Sequence, residues 1–177
     1  MEGTPEVLSI PGLPGLEPNP DFDPRAAVPS TRMAAMREAR GEYELDTDPA
    51  RLVPAVVHAY LTESYWSPGV TPEVVERAMA YSLCFGLYRG DEQVGFARVV
   101  TDRASFAWLA DVFVLPEHRG RGLGEWLVRA AAGHADLAGV RRFVLATRDA
   151  HGLYARFGFE PFDEAEARRW MVRRGDA

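Results

Sequence analysis

The 177-residue chain contains no lysine; all 20 of its cationic residues are arginine. A Walker-type phosphate loop, which needs a lysine against the phosphates, is therefore excluded. There is a single cysteine, Cys84. No intrachain disulfide can form, and nothing points to an oxidising compartment. No window approaches the roughly 18 apolar residues of a membrane span. The N-terminus lacks a basic region followed by an apolar stretch, so no signal peptide is read and a cytoplasmic location is expected. Positive charge is also short: the net charge is −6 and the sequence pI about 5.3. Such a chain, without a basic run, is a poor partner for nucleic acid or an anionic membrane surface. The histidines at 58, 118, 134 and 151 have no metal-ligand spacing, and no metal is expected. No Gly-x-Ser-x-Gly elbow exists for serine acyl transfer.

What is present suffices for a core, because 47% of the residues are hydrophobic. Seven of the 13 prolines fall between Pro5 and Pro29. Proline has no N–H and restricts its predecessor, so this stretch reads as extended or disordered. Thr31–Arg40 could form a short helix. The expected organisation is a proline-rich extension over residues 1–40 and one domain over 41–177.

Within that domain a strand is expected at Glu42–Leu45 and helices over Pro49–Leu61 and Thr71–Tyr81. Strands follow at Ser82–Arg89, Gln93–Thr101 and Phe106–Leu115. A helix over Gly122–His134, a strand at Arg142–Thr147 and a short helix over Ala150–Phe157 come next. Glu160–Phe162 and Arg168–Val172 are candidates for a last pair of strands. The order is that of a mixed α/β (α+β) layout.

One segment carries chemistry on its face. After the strand ending at Leu115, Arg119–Gly–Arg–Gly–Leu–Gly124 opens a helix. The first turn of a helix has free N–H groups and the positive end of the dipole. Glycines at 120, 122 and 124 let an anion approach the backbone, and Arg119 and Arg121 add charge, so the loop suits a pyrophosphate. A dinucleotide fingerprint is disfavoured, because Glu125 or Leu127 stands where its third glycine belongs and antiparallel strands precede it. An RNA-binding Arg–Gly segment is disfavoured by the acidic pI. A plain structural turn remains the bland alternative.

The motif Arg119-x-x-Gly122-x-Gly124 resembles the Arg/Gln-x-x-Gly-x-Gly/Ala acetyl-CoA signature of the GNAT superfamily of N-acetyltransferases. A second stretch, Thr147-x-x-Ala150-x-x-Leu153–Tyr154-x-x-x-Gly158–Phe159, is similar to that family's Asn-x-x-Ala-x-x-Leu-Tyr-x-x-x-Gly-Phe, with Thr147 at the usual asparagine position. The resemblance covers about residues 42–172. It implies a central, mostly antiparallel mixed sheet with flanking helices, splayed between its fourth and fifth strands. It also implies acetyl-CoA as donor, without a metal, and direct transfer to the amine of an unidentified acceptor, with homodimerisation left open. A small-molecule primary amine is the expected acceptor. An acyl-CoA-binding module without turnover and a protein or peptide N-acetyltransferase are the alternatives.

The same resemblance places Arg119, Gly120, Arg121, Gly122, Leu123, Gly124 and Thr147 at the cofactor. It places the backbone of Val112, Phe113 and Val114 along the pantetheine arm. Tyr154 becomes the acid that protonates the departing sulfur, and a phenol with an ordinary pKa near 10 carries its proton at neutral pH. Asp111 is the one carboxylate in the apolar run WLADVFVL. It reads either functionally, as general base or substrate-amine anchor, or as a hydrogen-bonded structural residue. Trp108–Ala110 offers no glutamate, so deprotonation through water stays open. Tyr65 and Trp66, between the first two helices, could cradle an apolar or aromatic amine or could be ordinary packing.

Overall fold

A computed structural model describes residues 34–173. The proline-rich stretch to Pro29, and the first part of the helix read over Thr31–Arg40, lie outside the described residues. The remainder of that helix is not formed. Arg37–Arg40 is a strand, β1, paired antiparallel with β2, Tyr43–Asp46. Helix propensity loses here to cross-strand pairing. Gly41 takes φ +61° in the turn, and Arg37 donates to both carboxylate oxygens of Glu44 at 2.8 and 2.9 Å.

The stretch read as one helix from Pro49 is two pieces. A 3-10 turn spans Pro49–Arg51, and helix α1 spans Pro54–Leu61. Pro54 cannot continue a preceding turn and forces Val53 into the extended region. The freed N–H of Val53 donates to the buried Gln93 side chain at 2.7 Å. Helix α2 spans Pro72–Ala80. Strands β3 (Leu83–Arg89), β4 (Glu92–Thr101) and β5 (Phe106–Val114) follow as an antiparallel meander. Helix α3, Leu123–Ala132, then crosses to β6, Arg142–Leu145, which pairs parallel with β5. Helices α4 (His151–Ala155) and α5 (Glu164–Ala167) complete the described chain. The sheet runs β1-β2-β3-β4-β5-β6 in space, so the mixed α/β layout with a mostly antiparallel sheet is observed.

The two strands expected at Glu160–Phe162 and Arg168–Val172 do not form. Pro161 interrupts the first. In the second, Arg168, Arg169 and Trp170 donate their N–H groups back to Glu164, Glu166 and Ala167, which prolongs the α5 turn.

Side chains alternate along the strands and divide the core. Leu83, Phe85 and Leu87 of β3 pack in one cluster with Leu123, Trp126 and Leu127 of α3. Cys84 points the other way and joins Val57, Leu61, Val75 and Met79 from α1 and α2. Burial pushes the Cys84 thiol up to about 12, as befits a core residue.

Strand β5 breaks its own alternation once. Phe96 faces Phe113 across β4 and β5, whereas Arg98 faces Ala110, so β5 carries one extra residue over this stretch. Asp111 sits in that bulge at φ +54°. Aspartate is among the few residues that tolerate this region. The extra residue exchanges the faces: Ala107 and Leu109 lie in the α3 cluster, but Phe113 lies in the α1–α2 cluster.

Leu127 is fully buried in α3. Leu127→Ala should lower unfolding free energy by about 2–5 kcal/mol, read from urea denaturation of the apo protein. A loss under about 1 kcal/mol would mean that α3 does not centre this core.

Candidate active site

The chain leaves β5 at Val114 and meets Pro116, which ends the strand and starts a 3-10 turn over Pro116–His118. His118 is buried, with its Nδ1 3.1 Å from the Tyr43 hydroxyl. Arg119 is fixed twice. Its Nε donates to the Val114 carbonyl at 2.9 Å, and its Nη2 donates to the Tyr60 hydroxyl at 2.9 Å. The Tyr60 ring is stacked on Phe113, with centroids 3.9 Å apart. Loop, bulged strand and α1 are thereby tied together.

Gly120 and Gly122 take φ +74° and +73°, a region that only glycine enters cheaply. Gly122 caps α3 without any side-chain hydrogen bond to the helix's first N–H groups. A Cβ added at Gly120 or Gly124 would meet no atom within 4 Å. The loop is thus a backbone cradle of free donors at a positive helix end, which fits a phosphorylated ligand.

A cleft of about 1090 Å³ runs from this loop along β5. Strand β6 pairs only with Phe106–Leu109, so among the described residues Ala110–Val114 has no strand neighbour on that side. This is the splay expected between these two strands. The cleft wall includes Val112, Phe113, Val114, Arg119, Gly120, Gly122, Leu123 and Gly124. Arg121 is not part of it; its guanidinium lies 3.6 Å from Glu42.

Tyr154, in α4, also lines the cleft. Burial, with smaller effects from Tyr65 and Asp149, raises its pKa above the ordinary phenol value. Its ring packs edge-on against Phe159, 6.1 Å between centroids. Thr147 lies on the same wall, and its hydroxyl accepts from the Ala150 N–H at 3.0 Å. The hydroxyl proton remains available to donate.

Asp111 faces the cleft and is ion-paired with Arg98 of β4. Arg98 also donates to the Ser82 hydroxyl at 3.3 Å. The structural and functional readings of Asp111 therefore meet in one residue: its carboxylate is held, and it lines the cavity. Arg98 was not foreseen, although a signal existed. It is a lone cation in the apolar strand QVGFARVV, beside the strand that holds the lone carboxylate.

Tyr65 and Trp66 reach the same cleft, as does Trp108 of β5. Their exposures of 46%, 39% and 37% are high for large aromatic rings, and all three are spent on one cavity. Tyr65 accepts from the Arg148 N–H at 3.2 Å, and the Arg148 guanidinium lies 3.8 Å over its ring. Trp108 and Arg148 were not singled out from sequence, where neither stands in a motif.

Comparison with known proteins agrees with this geometry. Residues 80–161 match the family model described as an acetyltransferase (GNAT) domain. A protein of Gibberella zeae, provisionally named an acetyltransferase, is 33% identical over 141 residues, covering 66% of this chain and 78% of its own length. The crystal structure of a provisionally named GNAT acetyltransferase from Xanthomonas campestris superposes with a TM-score of 0.71 at 46% identity, over 75% of this chain and 93% of that one. A predicted acetyltransferase of Clostridium acetobutylicum, solved with acetyl-CoA, shares the fold at 14% identity and a TM-score of 0.56, over 78% of this chain and 96% of its own. With the glycine cradle, the splayed strand and these relatives together, the chain belongs to the GNAT family of acetyltransferases.

Proposed function

We propose that this chain transfers an acetyl group from acetyl-CoA directly to the primary amine of a small molecule. The observation that carries the reading is the convergence of the glycine cradle, the unpaired edge of β5, the Tyr154 phenol and the Asp111 carboxylate on one cleft. Acetyl-CoA, when bound, supplies an acetyl thioester.

The residues divide the work. Gly120, Gly122 and Gly124 expose backbone to the diphosphate, and Arg119 braces the loop through the Val114 carbonyl and the Tyr60 hydroxyl. The backbone of Val112, Phe113 and Val114 offers the unpaired edge to an extended arm carrying amides, as an added strand would. Thr147 has one hydroxyl proton to donate to the same ligand. Tyr154 keeps its proton at neutral pH, because burial raises its pKa, and gives it to the departing sulfur. Asp111, oriented by Arg98, anchors the acceptor amine and takes part in its deprotonation. Tyr65, Trp66 and Trp108 give the acceptor end an aromatic lining, which favours a small amine over a flat peptide groove.

A thermal-shift titration with acetyl-CoA, followed by a thiol-release screen over small amines, tests this reading. Binding should raise the melting temperature by mass action, and at least one amine should release thiol. Binding without turnover on any amine would favour a sensing module, and no binding would end the proposal. Tyr154→Phe should cut kcat by about 10²–10⁴-fold with little change in acetyl-CoA affinity. Deprotonating an acid abolishes its function and the Tyr154 pKa is raised, so the alkaline loss of kcat due to this residue should be centred above about pH 10. A Tyr154-dependent loss centred near pH 8 would contradict the assignment.

Gly124 lies in helical conformation and its Cβ direction is open. Gly124→Glu should leave the apo melting temperature near wild type and remove the acetyl-CoA-induced shift, while Gly124→Ala should keep most of it. An unaltered shift in Gly124→Glu would place the donor elsewhere.

A further inference from the structure

Gly122 lines two cavities. Besides the main cleft it borders a second one, of about 300 Å³, walled by Glu38, Arg40, Glu125, Trp126 and Arg129. Both carboxylates of this cavity are engaged. Glu38 accepts from the Trp126 indole N–H at 2.8 Å. Glu125 is shared between Arg129 at 3.2 Å and Arg156 at 2.9 Å. The Arg40 guanidinium has neither a hydrogen bond nor an ion pair among the described residues, and it borders the same cavity. Its two terminal nitrogens lie 3.5 Å from where a Cβ of Gly122 would be.

That placement has the wrong sign for a helix on its own. The N-terminus of α3 is the positive end of its dipole, and cations are favoured at the opposite end. Gly122 brings no side-chain acceptor to the helix's first N–H groups. Three sources of positive potential, the guanidinium, the free N–H groups and the dipole, therefore meet at Gly122, the residue common to both cavities. An anion between them satisfies all three at once.

The arginine is also held in place by its strand. Arg40 and Glu38 are two apart on β1 and so project from the same face. Glu38 is bonded to Trp126 of α3, which moors that face to the helix. Across the turn, Arg40 is paired with Tyr43, whose hydroxyl meets His118 at the base of the glycine loop. The β1–β2 hairpin is thus docked on both sides of Arg40 to the loop–α3 unit. The motif in the loop says nothing of this residue, which lies some 80 positions upstream in a stretch that reads as helix.

The geometry points to Arg40 as a phosphate-binding residue of the donor site, closing over the anion at Gly122 with a planar, two-pronged guanidinium. This rests on the acetyl-CoA reading above. The anion is a phosphate of the coenzyme's nucleotide half, either its diphosphate or its ribose 3′-phosphate.

Isothermal titration of the whole chain with CoA and with 3′-dephospho-CoA tests this, comparing wild type, Arg40→Gln and Arg40→Lys. Arg40→Gln should raise the Kd for CoA by about tenfold, the cost of one charged hydrogen-bonded contact. Its Kd should depend less steeply on salt, and the apo melting temperature should not fall, since a like-sign neighbour of the helix end is removed. Arg40→Lys should recover part of the affinity. If the wild-type advantage persists with 3′-dephospho-CoA, Arg40 holds the diphosphate; if it vanishes, Arg40 holds the 3′-phosphate. An Arg40→Gln affinity within twofold of wild type, at any salt, would overturn the inference. So would a weakened Kd that comes with a lowered apo melting temperature and an unchanged salt slope, which would make Arg40 structural. Failure of the wild type to bind CoA at all would instead overturn the acetyl-CoA reading and this inference with it.

Discussion

One additional residue in β5 governs the arrangement of the site. A regular strand would place Ala107, Leu109, Asp111 and Phe113 on one face. The bulge at Asp111 sends Phe113 to the opposite side, under α1. There it stacks on Tyr60, whose hydroxyl holds Arg119, and Arg119 returns to the Val114 carbonyl. Without the bulge, Phe113 would compete with Leu109 for the α3 side, and Tyr60 would lose the surface that fixes its ring. The same bulge holds a carboxylate in an apolar strand, where Arg98 meets it. The left-handed backbone at position 111 is local strain that the pairing with β4 and the ion pair together sustain.

The exclusive use of arginine has a structural side. Several of these guanidiniums do more than one job at a time. Arg119 bonds a carbonyl and a phenol, Arg98 an aspartate and a serine, and the Arg148 guanidinium lies over the Tyr65 ring. A lysine ammonium, a compact point charge on a flexible stem, cannot reproduce a planar fork or a stacked plate. The walls of the cleft are stiffened by groups that also set its charge.

What was legible in the sequence was local. The strands from Leu83 to Val114 are apolar runs bounded by turns at Gly90 and at Asp102–Ser105, and α3 begins within the glycine loop. The glycine loop and the helix of Tyr154 stood out because each belongs to a short motif whose residues lie within a few positions of one another. The strand at Arg37–Arg40 was not, since its residues favour a helix and only pairing with Tyr43–Asp46 decides otherwise. The break at Val53–Pro54 was readable in principle from the proline alone. The partner of Asp111 was hidden by distance, with Arg98 thirteen positions away on the neighbouring strand. The C-terminal segment looked extended in composition, yet Pro161 and the helical turn after Asp163 settle it as helix and coil.

The stack of Tyr60 on Phe113 joins the two halves of the cleft mechanically. Tyr60 belongs to α1, which leads into the Tyr65–Trp66 segment, and its hydroxyl steadies the arginine of the glycine loop. Free energy stored in that junction is common to both ends. A ligand that tightens the loop and a ligand that orders the aromatic segment draw on one shared set of contacts, so each alters the affinity of the other by the same factor. Under the proposed reading, donor and acceptor would each feel the other's binding through this pair of stacked rings.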